Sequence, residues 1–305
     1  MTLMTMGCIG ELDTASSIHD LRILAIQADP PESYLVIDES ARTIRDRDRG
    51  DIEFRLTTLV ADVVDGGLVT RPRHYRVSTC PEPESGRCEG LDGELVLGEG
   101  TFTGETFEVD FEFTAAHAGL LEAAIRADAY FGFGGLPVLL SVKVWTDEVV
   151  EHAAKTLVLH LPTLSLEDEP VNANPPPPKL LIGKEGEPIG EEMRLSIVGD
   201  TQDLDIDPSD AEREPASYQV PTFTGGTLAL DESWTYDWFT TRGRYQPESS
   251  GGLNPISMKP LSALTTLDLD DGSPGNFVSW VVLRDSRGGV SWTRFEGRFE
   301  DPDPL

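Results

Sequence analysis

The three cysteines of this 305-residue chain divide two plus one. Cys80 and Cys88 bracket the segment Pro-Glu-Pro-Glu-Ser-Gly-Arg, whose prolines and glycine bend the chain enough for two sulfurs to meet. A disulfide there pins an exposed loop at the end of a strand over residues 75–79 and implies an oxidising compartment. Free thiols are the alternative. Zinc is disfavoured, because no second Cys/His pair completes a set of four ligands.

Cys8 stands apart in Met4-Thr5-Met6-Gly7-Cys8-Ile9-Gly10. A small residue before a cysteine near the start resembles the end of a bacterial lipoprotein signal, where the cysteine is lipidated and becomes the new N-terminus. Thr5 stands where an aliphatic residue is usual. An incidental thiol in a floppy tail is the competing reading.

Calcium is the ion the carboxylates suggest. Asp203, Asp205, Asp207 and Asp210 alternate through an acidic loop over residues 200–214, and oxygen ligands in a flexible loop suit Ca²⁺. The run lacks the glycine and the bidentate glutamate of an EF-hand. Solvated acids are the plainer reading, as they are for Asp46, Asp48 and Asp51 and for Asp268, Asp270 and Asp271. The histidines His19, His74, His117, His152 and His160 are scattered, and His152 and His160 read as surface or edge residues rather than ligands. Signature motifs of serine hydrolases, zinc proteases and P-loop enzymes are missing. With 54 acids, no carboxylate pair stands out as an acid–base dyad. Phe131-Gly-Phe-Gly-Gly135 lacks a strand before and a helix after it, so it reads as a flexible turn.

The formal charge of −30 excludes partners that present phosphate backbones, and nucleic acid is not expected. No run of 18 or more apolar residues exists, so membrane attachment would come from a covalent lipid alone. With 22 prolines and 29 glycines, the composition suits short strands and turns better than a helical bundle.

The elements follow from periodicity. Leu21, Ile23 and Ala25 alternate against Arg22 in a strand that Pro30-Pro31 stops. In residues 107–113, Phe and Val occupy one face and acids the other, a sheet with one wet side. Residues 115–130 carry Leu120/Ala124 and Leu121/Ile125 at helical spacing. Residues 1–19 read as an anchor and tether, 20–166 as a first domain, and 167–179 as a proline-rich linker. Residues 180–305 form a second domain. The four prolines Pro175–Pro178 favour polyproline II, a stiff spacer. In the second domain Trp234, Tyr236 and Trp238 share one apolar face, and 285–289 closes a hairpin.

Several stretches together resemble a group of cell-envelope lipoproteins of myxobacteria with tandem Ig-like or PKD-like domains. They are residues 21–32, the Cys80…Cys88 loop, Asn172-Ala-Asn-Pro175, residues 238–245 and residues 281–292. The resemblance spans 21–299 and implies export, an N-terminal lipid and no catalytic residues. The fold expected is mainly β: two tandem antiparallel Ig-like β-sandwich domains with one short helix in the first. The function expected is non-catalytic, structural or binding, with a protein or glycan partner at the cell surface and no cofactor beyond possible calcium. A carbohydrate-binding or Ca-dependent adhesion module is the first alternative and requires exposed rings among Trp145, Trp234, Trp238, Trp280 and Trp292. An enzyme of unrecognised type is the second, and requires a deep pocket with convergent polar groups.

Overall fold

A computed structural model describes residues 16–38, 43–46, 52–114, 117–160, 171–182, 188–189, 194–198, 201–206, 217–254, 256–257, 259, 261–268 and 275–300. The first unit runs β1 (Arg22–Asp29), β2 (Glu32–Asp38), β3 (Thr43–Asp46), β4 (Ile52–Ala61), β5 (Val63–Val64), β6 (Gly67–Leu68), β7 (Arg73–Thr79), β8 (Leu95–Phe102) and β9 (Thr106–Phe113). Helix α1 (Ala118–Ala127), β10 (Leu136–Trp145) and β11 (Val150–His160) complete it. The second unit runs β12 (Leu180–Ile182), β13 (Pro188–Ile189), β14 (Arg194–Val198), β15 (Thr201–Ile206), β16 (Ser217–Pro221), β17 (Thr227–Asp231) and β18 (Trp234–Thr240). It ends with β19 (Arg244–Gln246), β20 (Ser249–Gly251), β21 (Thr265–Asp268), β22 (Gly275–Asp285) and β23 (Val290–Glu300).

Each unit is an Ig-like sandwich. In the first, the sheet β1-β4-β9 faces the sheet β3-β2-β11-β10-β7-β8. In the second, β13-β12-β15-β21-β19 faces β14-β23-β22-β18-β20. Both repeat one device: the chain enters in one sheet and then crosses to pair parallel with its unit's last strand. β2 pairs with β11 in this way, and β14 with β23. All other pairs between the named strands are antiparallel. The proline pair that ends β1 therefore does not end the edge; it marks the crossing to the other sheet, with Asp29–Pro30 in cis.

Burial follows residue type. β9 reads exposed–buried in strict alternation, with Phe107, Val109, Phe111 and Phe113 inside. α1 packs Leu121 and Ala124 on that core. The second core is aromatic: Trp238, Tyr245, Phe277, Phe295 and Phe299. Its polar atoms are satisfied where they are buried, Trp238 Nε1 donating to Ser250 Oγ at 2.8 Å and Tyr245 Oη to Ser279 Oγ at 2.9 Å. Burial holds the Tyr245 phenol well above its usual pKa, against the weaker pull of that bond.

A third core lies between the units. Ile18, Leu24, Ala25, Leu59, Ala61 and Val63 meet Trp280, Val282 and Val290 in one buried cluster. β22 is therefore buried on both faces, which is why Val281-Val282-Leu283 runs without alternation. The regular alternation expected of Leu21, Ile23 and Ala25 fails, because a register shift between Ile23 and Ala25 turns Leu24 and Ala25 toward this seam. Residues 16–18, expected as tether, are also fixed. Ile18 is buried, its N–H donates to Thr240 O at 2.9 Å, and Thr240 N donates to Ser16 O at 2.8 Å.

The linker is docked rather than spanning free. Asn174 Nδ2 donates to Ala28 O at 2.8 Å, and Asn174 Oδ1 accepts from Val290 N at 3.0 Å, so one side chain ties both units. The carbonyls of Pro176 and Pro178 accept from the hydroxyls of Ser291 and Thr293 on β23. Gly289 makes room for it; a Cβ there would stand 2.8 Å from Pro175 Cδ.

Candidate ligand-binding cleft between the sandwiches

Beside the seam, β2 and β11 of the first unit and the β16–β17 hairpin and β22–β23 turn of the second wall a cleft of about 360 Å³. Its lining includes Tyr34, His160, Val158, Tyr218, Val220 and Arg287. The Tyr34 and His160 rings stack at 4.7 Å, and the Arg287 guanidinium lies 4.6 Å from the centre of the Tyr218 ring.

Charge is concentrated at the cleft's base. Glu32, from β2, is almost wholly buried and sits within reach of several donors. Arg287 Nη2 donates to Glu32 Oε2 at 2.7 Å, Asn172 N donates to the same oxygen at 3.0 Å, and His160 Nε2 lies 3.3 Å from it. Arg287 also faces Glu232 at 3.6 Å. Burial pushes the Glu32 carboxyl up, but the hydrogen bonds of His160 and Arg287, the Arg287 charge and the Asn172 N–H together outweigh it and hold the group below its ordinary value. The turn that presents Arg287 is shaped by Asp285, whose Oδ1 accepts from Arg287 N at 2.8 Å and Gly289 N at 2.7 Å. Asn172 Nδ2 reaches Asp285 Oδ2 at 2.9 Å. Lys155 of β11 donates to Gly288 O across the seam, and burial pushes its ammonium down to about 8, with the charge of Arg284 adding to the effect.

An aromatic rim adjoins the cleft. Asp128 Oδ2 accepts from Tyr130 N at 3.1 Å and Gly132 N at 2.7 Å, folding residues 128–135 into successive turns. Gly135 has φ +128°, and a Cβ on it would stand 2.5 Å from Val158 Cγ1, so this loop can lie against β11 only with glycine there. The turn holds Tyr130 and Phe131 at 62% exposure each, while Phe133 stacks at 4.5 Å on Phe223 from the hairpin of the second unit. Phe223 is 75% exposed and also meets Tyr130.

A larger hollow, about 510 Å³, lies among Asp29, Glu53, Arg55, Asp110 and Glu112. Its polar groups sit on the solvent face of β4 and β9, and Arg55 Nε is bonded to Asp110 at 2.7 Å. The smaller cleft is the better site, since two units wall it and buried charges converge in it.

The residues singled out in the sequence fall elsewhere, with one exception. Cys80 and Cys88 are disulfide-bonded, with 5.5 Å between their Cα atoms. Cys8 lies outside the described residues, as do Asp207, Asp210, Asp48 and Asp51. Asp203 and Asp205 belong to strand β15 rather than to a loop, and Asp203 Oδ1 accepts from Thr266 Oγ1 at 2.8 Å. Among the described residues no group of three or more His, Cys, Asp or Glu side chains converges as a metal site would. The exception is His160, expected at the surface and found in the cleft against Tyr34 and Glu32. Trp238 and Trp280 are fully buried, and Trp145, Trp234 and Trp292 are half-buried, so the tryptophans form no exposed platform. The Phe131–Gly135 turn, set aside as flexible, supplies the rim instead. Its signal was the aromatic run Tyr130-Phe131 and Phe133 spaced by glycines, a costly pattern for a loop with no role.

No protein-family model matches the chain, and no curated protein matches it. Solved structures resemble it distantly. A chimeric titin Z1Z2-Z1Z2 tandem functionalised with a GRGDS peptide from fibronectin aligns over 92% of this chain and 99% of its own, at 10% identity and a TM-score of 0.20. The extracellular domains 3–5 of Drosophila OTK align over 93% and 98%, at 8% identity and a TM-score of 0.24. Escherichia coli alpha-2-macroglobulin activated by porcine elastase aligns over 94% of this chain, at 8% identity and a TM-score of 0.27. The chain spans 22% of that protein's length. The fold assignment rests on the strand pairing given above, and none of these likenesses bears on function.

Proposed function

We propose that this chain is an exported, non-catalytic binding protein of a bacterial cell envelope, whose two sandwiches form one rigid body and hold a protein or glycan ligand in the cleft between them. The observation that carries the reading is the shared cleft. Its walls come from both units, its base is a paired and buried charge cluster, and its rim is exposed aromatic surface. Export is supported by the Cys80–Cys88 disulfide. The lipid anchor at Cys8 and the bacterial source are supported by the sequence resemblance alone. The paired buried charges argue for a structural base with aromatic recognition above it, rather than for a reacting group. Calcium is not part of the proposal: Asp203 and Asp205 lie on strand β15 rather than in the flexible loop the site would need. Millimolar Ca²⁺ should leave the melting temperature unmoved.

Two measurements test the reading. Intact mass of the protein from its own cells should show a lipid-sized increment on a chain starting at Cys8, and a two-hydrogen gain on reduction. An unmodified chain with free thiols sinks the export reading. With Cys8→Ser in both proteins to remove the anchor, Tyr218→Ala should then abolish retention on the cells' envelope fraction while the melting temperature holds. Unchanged retention would remove the cleft from the proposal.

A further inference from the structure

The β16–β17 hairpin is one of the least charged parts of a strongly acidic molecule. Residues 217–231 carry a single side chain charged at neutral pH, Asp231, and Ser217 Oγ donates to it at 2.5 Å. The two strands form a sheet of their own, with no third strand among the described residues. All five residues of β17 are exposed, Leu228 at 52% and Leu230 at 36%. Natural edge strands are protected by lysine, proline, bulges or cover, because a bare edge is a template for another chain. β17 reads Thr-Leu-Ala-Leu-Asp and carries none of the first three devices.

The register says which backbone groups face outward. Thr222 N donates to Gly226 O at 2.8 Å, so that pair is hydrogen-bonded. Alternation then makes Pro221–Thr227, Gln219–Ala229 and Ser217–Asp231 the non-bonded pairs of the hairpin. Pro221, which has no N–H, falls in one of them, as it should. On β17 the outward-facing N–H and C=O groups are therefore those of Thr227, Ala229 and Asp231.

We infer that β17 is a dimerisation strand, its free edge pairing antiparallel with β17 of a second copy about a two-fold axis through Ala229. The strand is self-complementary in that register. Ala229 faces Ala229, each Thr227 faces the other copy's Asp231, and each Leu228 faces the other copy's Leu230. The outward backbone groups fall at Ala229 and at the Thr227–Asp231 pairs, where they exchange their hydrogen bonds. The hydroxyl-to-carboxylate match at the ends repeats the chemistry Ser217 already provides within the hairpin. A parallel pairing would set the two Asp231 carboxylates side by side and is excluded by charge. A second copy also suits the hairpin's low charge: two bodies of charge −30 repel overall, so contact costs least where charge is sparse. The inference is independent of the cleft, and either can fail alone.

Sedimentation velocity of the full chain, from about 1 to about 200 µM, covers the range in which a small interface assembles. A monomer of 33.3 kDa should approach twice that mass as concentration rises. The association should tighten with added salt, which screens the net repulsion. Thr227→Asp sets a carboxylate against Asp231 of the second copy and should weaken association about tenfold or more. Ala229→Pro removes the central outward N–H and should leave a monomer. Thr227 is exposed, so its variant keeps the test valid should the proline disturb the hairpin. A monomer at every concentration and salt overturns the inference, and so does a dimer that survives Thr227→Asp.

Discussion

The seam and the hairpin arm are both places where the second sandwich reaches toward the first, and they are built on opposite principles. At the seam, Trp280 and Val282 are fully buried against Leu24, Ala25 and Leu59, and polar groups meet partners. Trp280 Nε1 donates to Glu105 Oε2 at 3.1 Å, Gln27 Nε2 to Val290 O at 2.6 Å, and Arg284 Nη2 to Leu24 O at 2.9 Å. In the hairpin arm, Leu228, Leu230 and Phe223 stay in water and, among the described residues, one strand edge goes unpaired. Stability is concentrated in the first and availability in the second. A β structure that evolution needed only for rigidity would not leave the arm bare.

The comparison breaks most easily at Trp280. Trp280→Ala leaves a cavity in the seam and should cost about 3–5 kcal/mol. Chemical unfolding of the parent should be a single transition, because the third core couples the units. The variant should either unfold earlier as one transition or split into two. Two transitions in the parent would show that the seam does not couple the sandwiches.

Glu32→Gln tests the polar half of the seam. It leaves Arg287 buried beside a neutral group and should destabilise by roughly 2 kcal/mol. The pH dependence has a definite sign. The folded-state pKa of Glu32 lies below its ordinary 4.5, so its contribution is complete above that value and disappears as pH falls through the folded pKa. The parent should lose stability below pH 4.5, and the variant should lose less over the same interval.

Lys155 has the opposite character. Its pKa is pushed from 10.5 down to about 8, so between those values the unfolded chain holds a proton the folded chain has released. Its contribution to stability therefore rises with pH across that window. Lys155→Met removes both the burial cost and the bond to Gly288 O, two effects that nearly cancel, and should change stability at pH 7 by about 1 kcal/mol or less. The variant should lack the parent's rise between pH 8 and 10.5. A variant that retains the rise would show that another group causes it.

The sequence made some of this comparison legible and hid the rest for physical reasons. Alternation in β9 and the Trp234–Trp238 face was readable, because one side of each strand is wetter than the other. The helix spacing at Leu120–Ile125 was readable for the same reason. Strands buried on both faces carry no alternation, so Val281-Val282-Leu283 signalled a core without saying that two cores share it. The polyproline segment showed its stiffness but not its docking, which depends on hydroxyls of Ser291 and Thr293 over a hundred residues away. The cleft was illegible for a related reason. Glu32, His160, Asn172 and Arg287 are brought together by the packing of two units, and no spacing records it.

The smallest effect is expected at the arm, and its smallness is what sharpens the contrast. Phe223 is 75% exposed and touches Phe133 and Tyr130 through ring contacts at the rim. Phe223→Ser removes apolar surface that folding scarcely buries, so stability should move by about 0.5 kcal/mol or less. Binding of a hydrophobic dye to the folded protein should fall, because the variant takes the largest exposed ring out of the patch. Had Phe223 been a staple closing the rim, the same change would cost as much as a core truncation and dye binding would rise as the hairpin came away. Stability and dye binding thus move in opposite ways for a surface held ready and for a clasp, and one variant measured both ways separates them.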